Sequence, residues 1–329
     1  YSENFASLNR NKRSVTLDLK DPAGLARARE LILSADVVIE NNRPGAMDRL
    51  GLGYANFKSE RPKLVYCSIS AFGQEGPRSE EGGFDLTMQA MSGIMSVTGE
   101  PGGAPVKCGV PLSDFCSGLY GAYAIAAVLR RVEQGGAGEH IDVAMLGASL
   151  AIAALQTSEY FGTGRDPQKL GSAHPRNAPY QAFRARDDYF AMAAGNDSLF
   201  RSACEVVGQQ QLVADPRFAS TTLRAKHQVE LKAILEAEFA KHDAKDLIQR
   251  FQAAGVPCSA INTYSQVLAD PQVEHMEWIQ PITLPSGQQT RTFGSPIRFT
   301  GKGFPIRLDP PALGQHNDEV FLAEGVAAQ

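Results

Sequence analysis

The sequence predicts an α/β fold: a large N-terminal domain with a parallel sheet, and a smaller α+β domain after it. Short apolar strands alternate with helical segments over the first part of the chain, which is typical of parallel strands joined by right-handed crossover helices. After about Gly164, Pro, Gly and Asn become frequent and this alternation ends. We therefore expect the large domain over residues 1–165 and the small domain over residues 166–300.

The elements of the large domain follow from local patterns. Ser14 to Lys20 alternates apolar and polar residues, as a half-buried strand does. Asp21 and Pro22 begin a helix that reaches about Ser34, because Pro at the first helical position has no N–H to leave unpaired. Further strands are predicted over residues 36–40, 63–70 and 140–145, and further helices from about residue 85 and over residues 146–161.

The small domain is predicted from shorter segments. Its strands are expected near residues 180–183, 188–194 and 258–262, and its helices near residues 198–207, 227–241 and 244–254.

The stretch from Cys108 to Met145 organises the large domain. It contains a Gly-Pro turn, a long apolar helix of many small residues, a Gly-rich stop and a strand. Asp114 lies at the start of that helix, where Ser113 or Asp114 can serve as the N-cap. Two interpretations of Asp114 remain open: a simple helix cap, or a carboxylate that stays ionised at the positive helix end and attacks an activated acyl carbon.

Composition excludes several classes of protein. The 329 residues have a formal net charge of −4, which argues against a nucleic-acid binder. No uninterrupted apolar run approaches the roughly 20 residues that span a bilayer. The five cysteines and six histidines show no disulfide framework and no metal-ligand spacing, so we expect no metal and a reducing, cytoplasmic location.

Several ordered motifs resemble the class III CoA-transferases, the family of formyl-CoA transferase and carnitine CoA-transferase. The motifs are NRNKRSVTLDLK, ADVVIENNRPG, GFDLTMQAMSGIMSVTG, GVPLSDFCSG, LYGAYAIAAVLRR and GGAGEHIDVAM. The resemblance runs from about Phe5 to Val320 and implies a Rossmann-like sheet in the large domain, an interlocked homodimer, and a C-terminal segment, 301–329, that returns to the large domain. Family members usually have a further segment before Asn9, so we expect the N-terminal part of the large domain, with a side-chain donor to the oxyanion, to be missing from this sequence.

Coenzyme A needs cationic or helix-terminal donors for its phosphates. Several basic residues near the strand ends are suitable, although by composition alone they are equally a solvated basic face. The resemblance implies a CoA site at the following residues: Leu17 and Lys20 at the adenine and phosphate end, Asn41, Asn42, Arg43 and Arg49 after a strand, and Gly82, Gly83, Phe84 and Asp85 beside the pantetheine. Asn42 replaces an aromatic residue that is commoner there, which puts its own contact in doubt.

Asp114 falls on the nucleophilic aspartate of the family. The resemblance therefore implies an enzyme that exchanges CoA between an acyl-CoA and a carboxylic acid through aspartyl anhydride and aspartyl-CoA thioester intermediates, with no cofactor beyond CoA itself. Gly171 to Phe183 resembles members that use succinyl-CoA and dicarboxylic acids such as glutarate, itaconate or malate, and crotonobetaine-like acceptors stay possible. His174 and Arg176 are candidates to meet the second carboxylate; the alternative is that His174 only ties down a Pro-rich loop.

Two other functions are weighed against this one. The α-methylacyl-CoA racemases share the fold but use a histidine in a GHD motif, where this chain has Phe84, which cannot transfer a proton. A CoA-binding homologue without transferase activity is the other alternative.

Overall fold

The structure is a computed structural model that describes residues 2–323. Its described residues group into two compact units. One unit is Ala26–Ile261, and the other combines Tyr1–Leu25 with Asn262–Gln329, as far as these are described. The division of the sequence at residues 165 and 300 stays a prediction.

The helices lie along the whole described chain. Their bounds are α1 (Glu3–Asn9), α2 (Pro22–Ser34), α3 (Ala46–Arg49), α4 (Asp85–Met91), α5 (Ile94–Val97), α6 (Leu112–Glu133), α7 (Met145–Ile152), α8 (Ala154–Thr163), α9 (Asp197–Val206), α10 (Gln211–Ala214), α11 (Thr221–Lys226), α12 (Gln228–Phe239), α13 (Ala244–Ala253), α14 (Tyr264–Val267), α15 (Pro271–His275) and α16 (Asn317–Ala323). A short 3₁₀ helix covers Tyr54–Asn56.

The strands of the described residues form four small sheets. Their bounds are β1 (Val37–Glu40), β2 (Val65–Ser70), β3 (His140–Ala144), β4 (Tyr180–Arg184), β5 (Tyr189–Ala193), β6 (Cys258–Ala260), β7 (Ile279–Thr283), β8 (Gln289–Phe293), β9 (Arg298–Phe299) and β10 (Lys302–Gly303).

A parallel sheet of order β1-β2-β3 confirms the predicted α/β architecture. Val37 pairs with Val65 on one side of β2, and Tyr66 pairs with His140 on the other. The central strand β2 is buried along nearly all of its length, as expected where helices cover a parallel sheet. The carboxyl ends of the three strands consequently lie at one edge.

The α+β part of the same unit has its own core. The antiparallel sheet β4-β5-β6 packs against α9, α12 and α13 around a core with six phenylalanine rings. Phe239 makes edge contacts with Phe183, Phe190 and Phe251, with ring centroids 5.3–5.7 Å apart. The elements that the sequence predicts between residues 180 and 260 are present, within about two residues at each end.

One predicted element of the other unit is wrong. The Ser14–Lys20 stretch forms no strand, because its backbone binds side chains from the far end of the chain instead of a neighbouring strand. The Ser14 N–H donates to His316 Nδ1 at 3.0 Å, and the Thr16 N–H donates to Asn317 Oδ1 at 2.9 Å. The β7-β8 hairpin in this unit was not predicted.

Helix α6 is the one helix in the described part of the chain that is long and apolar enough to cross a membrane, by length and composition alone. Its apolar residues are interrupted by polar and charged ones, so the sequence shows no continuous apolar run there. One side of α6 packs against the sheet: Gly121 faces β2, where an added Cβ would lie 3.6 Å from the Cys67 sulfur. Its opposite side, with Phe115, Leu119 and Tyr123, is exposed in the single chain.

Candidate active site

A cleft of about 670 Å³ lies at the carboxyl edge of the parallel sheet. It is formed by the loops after β1 and β2, the loop before α4, and the first turns of α6. Ligands commonly bind at this edge of a parallel sheet. Of the predicted site residues, those that line the cleft are Asn41, Asn42, Arg43, Gly82, Gly83, Phe84 and Asp114.

The loop after β1 is held by its own strand end. Glu40 Oε2 accepts a hydrogen bond from the Asn42 N–H at 2.8 Å, and Gly45, with φ of 76°, turns the chain into α3. The Arg43 guanidinium lies against Gly82, where an added Cβ would be 3.6 Å from Nη2. Within residues 2–323, Arg43 has no ion-pair partner. A cation is thus available in the cleft for an anionic ligand.

The loop before α4 approaches β2 very closely at Gly83. A Cβ there would lie 2.7 Å from the Ala71 Cβ and 2.8 Å from the Met88 Cε, so only glycine fits without movement. The next residue, Phe84, is 82% exposed and lines the cleft. The phenyl ring of Phe84 has no group that accepts or donates a proton, so it cannot act as the base of a racemase.

Asp114 lies in the first turn of α6 and faces the cleft. The prediction that Ser113 or Asp114 caps this helix is wrong. Helix α6 begins at Leu112, and Pro111, at the N-cap position, makes no side-chain hydrogen bond to the first turn. The cap comes from another helix, because Asp85 Oδ1 accepts a hydrogen bond from the Ser113 N–H at 2.9 Å.

The Asp114 carboxylate itself is free. Among the residues that the structure describes, no side chain or N–H forms a hydrogen bond or ion pair with it. Partial burial, and then the charge of Asp85, raise the pKa of Asp114 above its usual range. A raised pKa makes a carboxylate more basic and, when ionised, a stronger nucleophile.

Buried serines support the helix start from the other side. Ser117 Oγ donates to the Ser113 carbonyl at 2.7 Å, and Ser149 Oγ lies 2.9 Å from Ser113 Oγ. All three serines are at most 1% exposed. Ser113 was predicted only as a helix cap, and Ser117 and Ser149 were not among the predicted site residues; the spacing of Ser113 and Ser117, one helical turn apart, was the available signal.

Some predicted site residues lie outside the cleft lining. Asp85 is at the start of α4, where it accepts a hydrogen bond from the Ser113 N–H. Arg49 lies in α3, and its Nη1 would be 3.1 Å from a Cβ on Gly45. Leu17 and Lys20 belong to the other compact unit, whereas the residues that line the cleft all belong to Ala26–Ile261.

His174 and Arg176 are in the loop before β4. The His174 Nδ1 accepts hydrogen bonds from the N–H groups of Arg176 and Asn177, and its ring stacks on Tyr180 with centroids 5.1 Å apart. Burial, and then the charge of Arg176, lower the pKa of His174, which favours the neutral ring. These contacts are those of a residue that holds its loop together.

Within residues 2–323, no group of three or more His, Cys, Asp or Glu side chains is arranged to hold a metal ion.

Comparison with known proteins gives consistent results. The family model described as CoA-transferase family III matches residues 1–317. A succinate–glutarate CoA-transferase of Agrobacterium fabrum is 38% identical over 320 residues, which cover 97% of this chain and 80% of that protein. The human succinyl-CoA:glutarate CoA-transferase is 33% identical over 317 residues, which cover 96% of this chain and 72% of that protein.

Solved structures agree with this result. The crystal structure of a CAIB/BAIF family protein from Brucella suis superposes with a TM-score of 0.82 at 37% identity, covering 97% of this chain and 83% of that one. The match of the family model over nearly the whole chain, at these identities, shows that the chain belongs to CoA-transferase family III and is an enzyme that transfers coenzyme A.

Proposed function

We propose that the enzyme moves CoA from an acyl-CoA donor, succinyl-CoA, to a dicarboxylic acid of the glutarate type, and that Asp114 is its nucleophile. The observation that carries the proposal is the Asp114 carboxylate, which faces the cleft at a helix start with no partner among the described residues and with a raised pKa. The names of the relatives from Agrobacterium fabrum and human support the choice of succinate and glutarate as the acids.

The proposed reaction proceeds in four balanced steps. An oxygen of Asp114 attacks the thioester carbon, the C–S bond breaks, and CoA leaves as a thiolate while a mixed anhydride forms. The thiolate attacks the aspartyl carbonyl, which releases the donor acid as a carboxylate and leaves an aspartyl-CoA thioester. The acceptor carboxylate then attacks that carbonyl and expels the thiolate, which finally attacks the acceptor acyl carbon and restores Asp114. No proton is consumed, and covalent catalysis divides one exchange into easier steps.

The residues of the cleft have separate proposed roles. Arg43, free of any described ion pair, binds a phosphate of CoA, and the loops at Asn41, Asn42 and Gly82 to Asp85 hold the pantetheine arm. Leu17, Lys20 and Arg49 stay predicted CoA contacts. His174 and Arg176 stay predicted contacts of the second carboxylate.

We also propose that the enzyme works as a homodimer in the cytoplasm. The exposed apolar side of α6, with Phe115 54%, Leu119 69% and Tyr123 76% exposed, supports a partner that covers it. Size-exclusion chromatography with light scattering tests this proposal, and a monomer at all concentrations contradicts it.

The mechanism is tested by mass spectrometry after incubation with succinyl-CoA. Hydroxylamine and borohydride trap activated aspartyl groups, and an Asp114→Ala variant is the matched control. A mass change confined to the peptide that contains Asp114 supports the proposal. An unmodified Asp114 in a protein that still binds CoA favours the inactive homologue, and exchange of the α-proton with deuterated water favours a racemase.

A further inference from the structure

Gln89 is a completely buried polar side chain that the proposed reaction does not use. It lies in α4, one turn after Asp85, and it is 0% exposed. An amide that is removed from water must find hydrogen-bond partners, since an unpaired one is strongly unfavourable. What Gln89 binds therefore indicates what it does.

Both ends of the Gln89 amide are paired, and with different segments. Its Nε2 donates to Asp85 Oδ2 at 2.8 Å, and its Oε1 accepts from the Cys108 N–H at 2.8 Å. Asp85 in turn accepts from the Ser113 N–H through Oδ1 at 2.9 Å. The chain of bonds runs from the segment before α6, through α4, to the first turn of α6.

These bonds enclose the segment that leads to Asp114. Cys108 lies six residues before Asp114 and Ser113 lies one residue before it, so the two anchored N–H groups bracket the turn through Gly109 and Pro111. Pro111 provides no cap, so this external carboxylate holds the first turn of α6 on one side, while the buried Ser149 binds Ser113 on the other. Because Gln89 Nε2 donates to Oδ2 of Asp85, the other oxygen of this carboxylate, Oδ1, accepts from the Ser113 N–H.

We infer that Gln89 is a positioning residue, which sets where the Asp114 carboxylate lies in the cleft by fixing Asp85 and Cys108 together. The inference rests on the proposed role of Asp114 as nucleophile. Gln89 lies outside the cleft lining, so its substitution is expected to change the rate of the covalent step and not the binding of CoA.

The test compares Gln89→Met with the wild-type enzyme. Methionine keeps the approximate volume and removes both hydrogen bonds. We expect the rate of adduct formation at Asp114 in a single turnover, and kcat, to fall by on the order of 10- to 100-fold. The Kd of CoA should stay within about twofold, because no residue of the cleft lining is changed.

Ser92→Ala is the matched control. Ser92 is also a buried polar residue and directly follows α4. Among the described residues its hydroxyl bonds the Gln89 carbonyl alone, at 3.4 Å, and neither Asp85 nor Cys108. Its kcat should equal that of the wild type. If both variants lose activity equally, or if Gln89→Met forms the adduct at the wild-type rate, the inference is overturned.

If Gln89→Met does not fold, a second pair of variants tests the positioning role of Gln89: Gln89→Glu alone, and Gln89→Glu combined with Asp85→Asn. In Gln89→Glu the bond to Asp85 is lost and two carboxylates face each other. Adding Asp85→Asn restores a donor and an acceptor in reversed order, with the net charge unchanged. A faster adduct in the double variant than in Gln89→Glu supports the inference, and equal rates overturn it.

Different results would refute the role of Asp114 as nucleophile and the role of Gln89 as a positioning residue. No adduct at Asp114 in the wild-type enzyme refutes the nucleophile itself. An adduct that forms normally in the wild type and equally fast in Gln89→Met refutes only the role of Gln89.

Discussion

The carboxylate of Asp85 caps the helix on which Asp114 lies, through a hydrogen bond of 2.9 Å from the Ser113 N–H. An anion at a helix N-terminus is stabilised by the unpaired N–H groups there. Burial raises the pKa of Asp114, and the charge of Asp85 raises it further. One residue thus contributes to both the geometry and the basicity of the proposed nucleophile.

The charge of Asp85 should be visible in the pH dependence of the reaction. Asp85 accepts hydrogen bonds through both oxygens, so in an Asp85→Asn variant the amide oxygen can keep the bond from Ser113 only at the loss of the bond from Gln89. The negative charge is removed, so Asp114 ionises at a lower pH. We expect the rate of adduct formation at Asp114 to fall off at a lower pH than in the wild type. Quenched single turnovers across the acid range measure this pH–rate profile. A profile that stays in place or moves to higher pH would contradict the coupling of the two carboxylates.

Replacing Asp114 should separate activity from stability. In Asp114→Asn the nucleophile is lost, and kcat is expected to fall on the order of 10³-fold or more. The folded protein should become more stable at neutral pH, because the raised pKa of Asp114 means that folding disfavours its charged form. The gain should shrink as the pH falls through that pKa towards the ordinary aspartate value, where both states are protonated.

Urea unfolding at several pH values measures this effect. A gain in the free energy of unfolding that grew towards acid pH would contradict the sign of the shift.

Arg43 provides a test of the phosphate site. Its guanidinium lines the cleft without an ion pair in the described part of the chain, and a charged hydrogen bond to phosphate contributes about 1.5–3 kcal/mol. Arg43→Ala is therefore expected to weaken CoA binding by about 10- to 100-fold in calorimetry. Arg130→Ala is the control, since Arg130 is exposed at the far end of α6 and, within residues 2–323, forms an ion pair with Glu133 alone. Equal affinities for all three proteins would exclude Arg43 from the CoA site.

Local signals predicted the elements whose partners are near in sequence. Asp21 and Pro22 begin α2 as expected, and the Gly24 N–H donates to Asp21 Oδ2 at 3.3 Å. The loops after β1 and β2 meet at one edge because parallel strands place their carboxyl ends together. The cleft and its lining by Asn41 to Arg43 followed from that rule and from the family resemblance.

Local sequence patterns could not predict contacts between segments that are far apart along the chain. Ser14 and Thr16 bind side chains some 300 residues away, so their alternating pattern was misleading. The cap of α6 comes from another helix, whereas a cap is sought within a few residues of a helix start. Gln89 is a good helix former whose type usually indicates an exposed position, and nothing in the sequence shows that it is buried.

Two glycines beside the cleft should respond oppositely to the same substitution. A methyl group at Gly83 would lie 2.7 Å from Ala71 and 2.8 Å from Met88, so Gly83→Ala is expected to cost about 1–3 kcal/mol of unfolding free energy through overpacking. Gly118 lies on α6 with nothing within 4 Å of an added Cβ, so Gly118→Ala should stabilise the helix by about 0.5–1 kcal/mol.

Both glycines line the cleft, so activity is measured beside stability. Gly118→Ala extends a methyl group into the space beside Asp114 and should raise KM or lower kcat in a protein that is at least as stable as the wild type. Gly83→Ala should lower activity for two reasons: the folded protein is less stable, and the loop that carries Phe84 is displaced from the cleft. Urea unfolding with parallel kinetics distinguishes the two effects, and a destabilised Gly118→Ala would show that this face of α6 is packed against another part of the protein in solution.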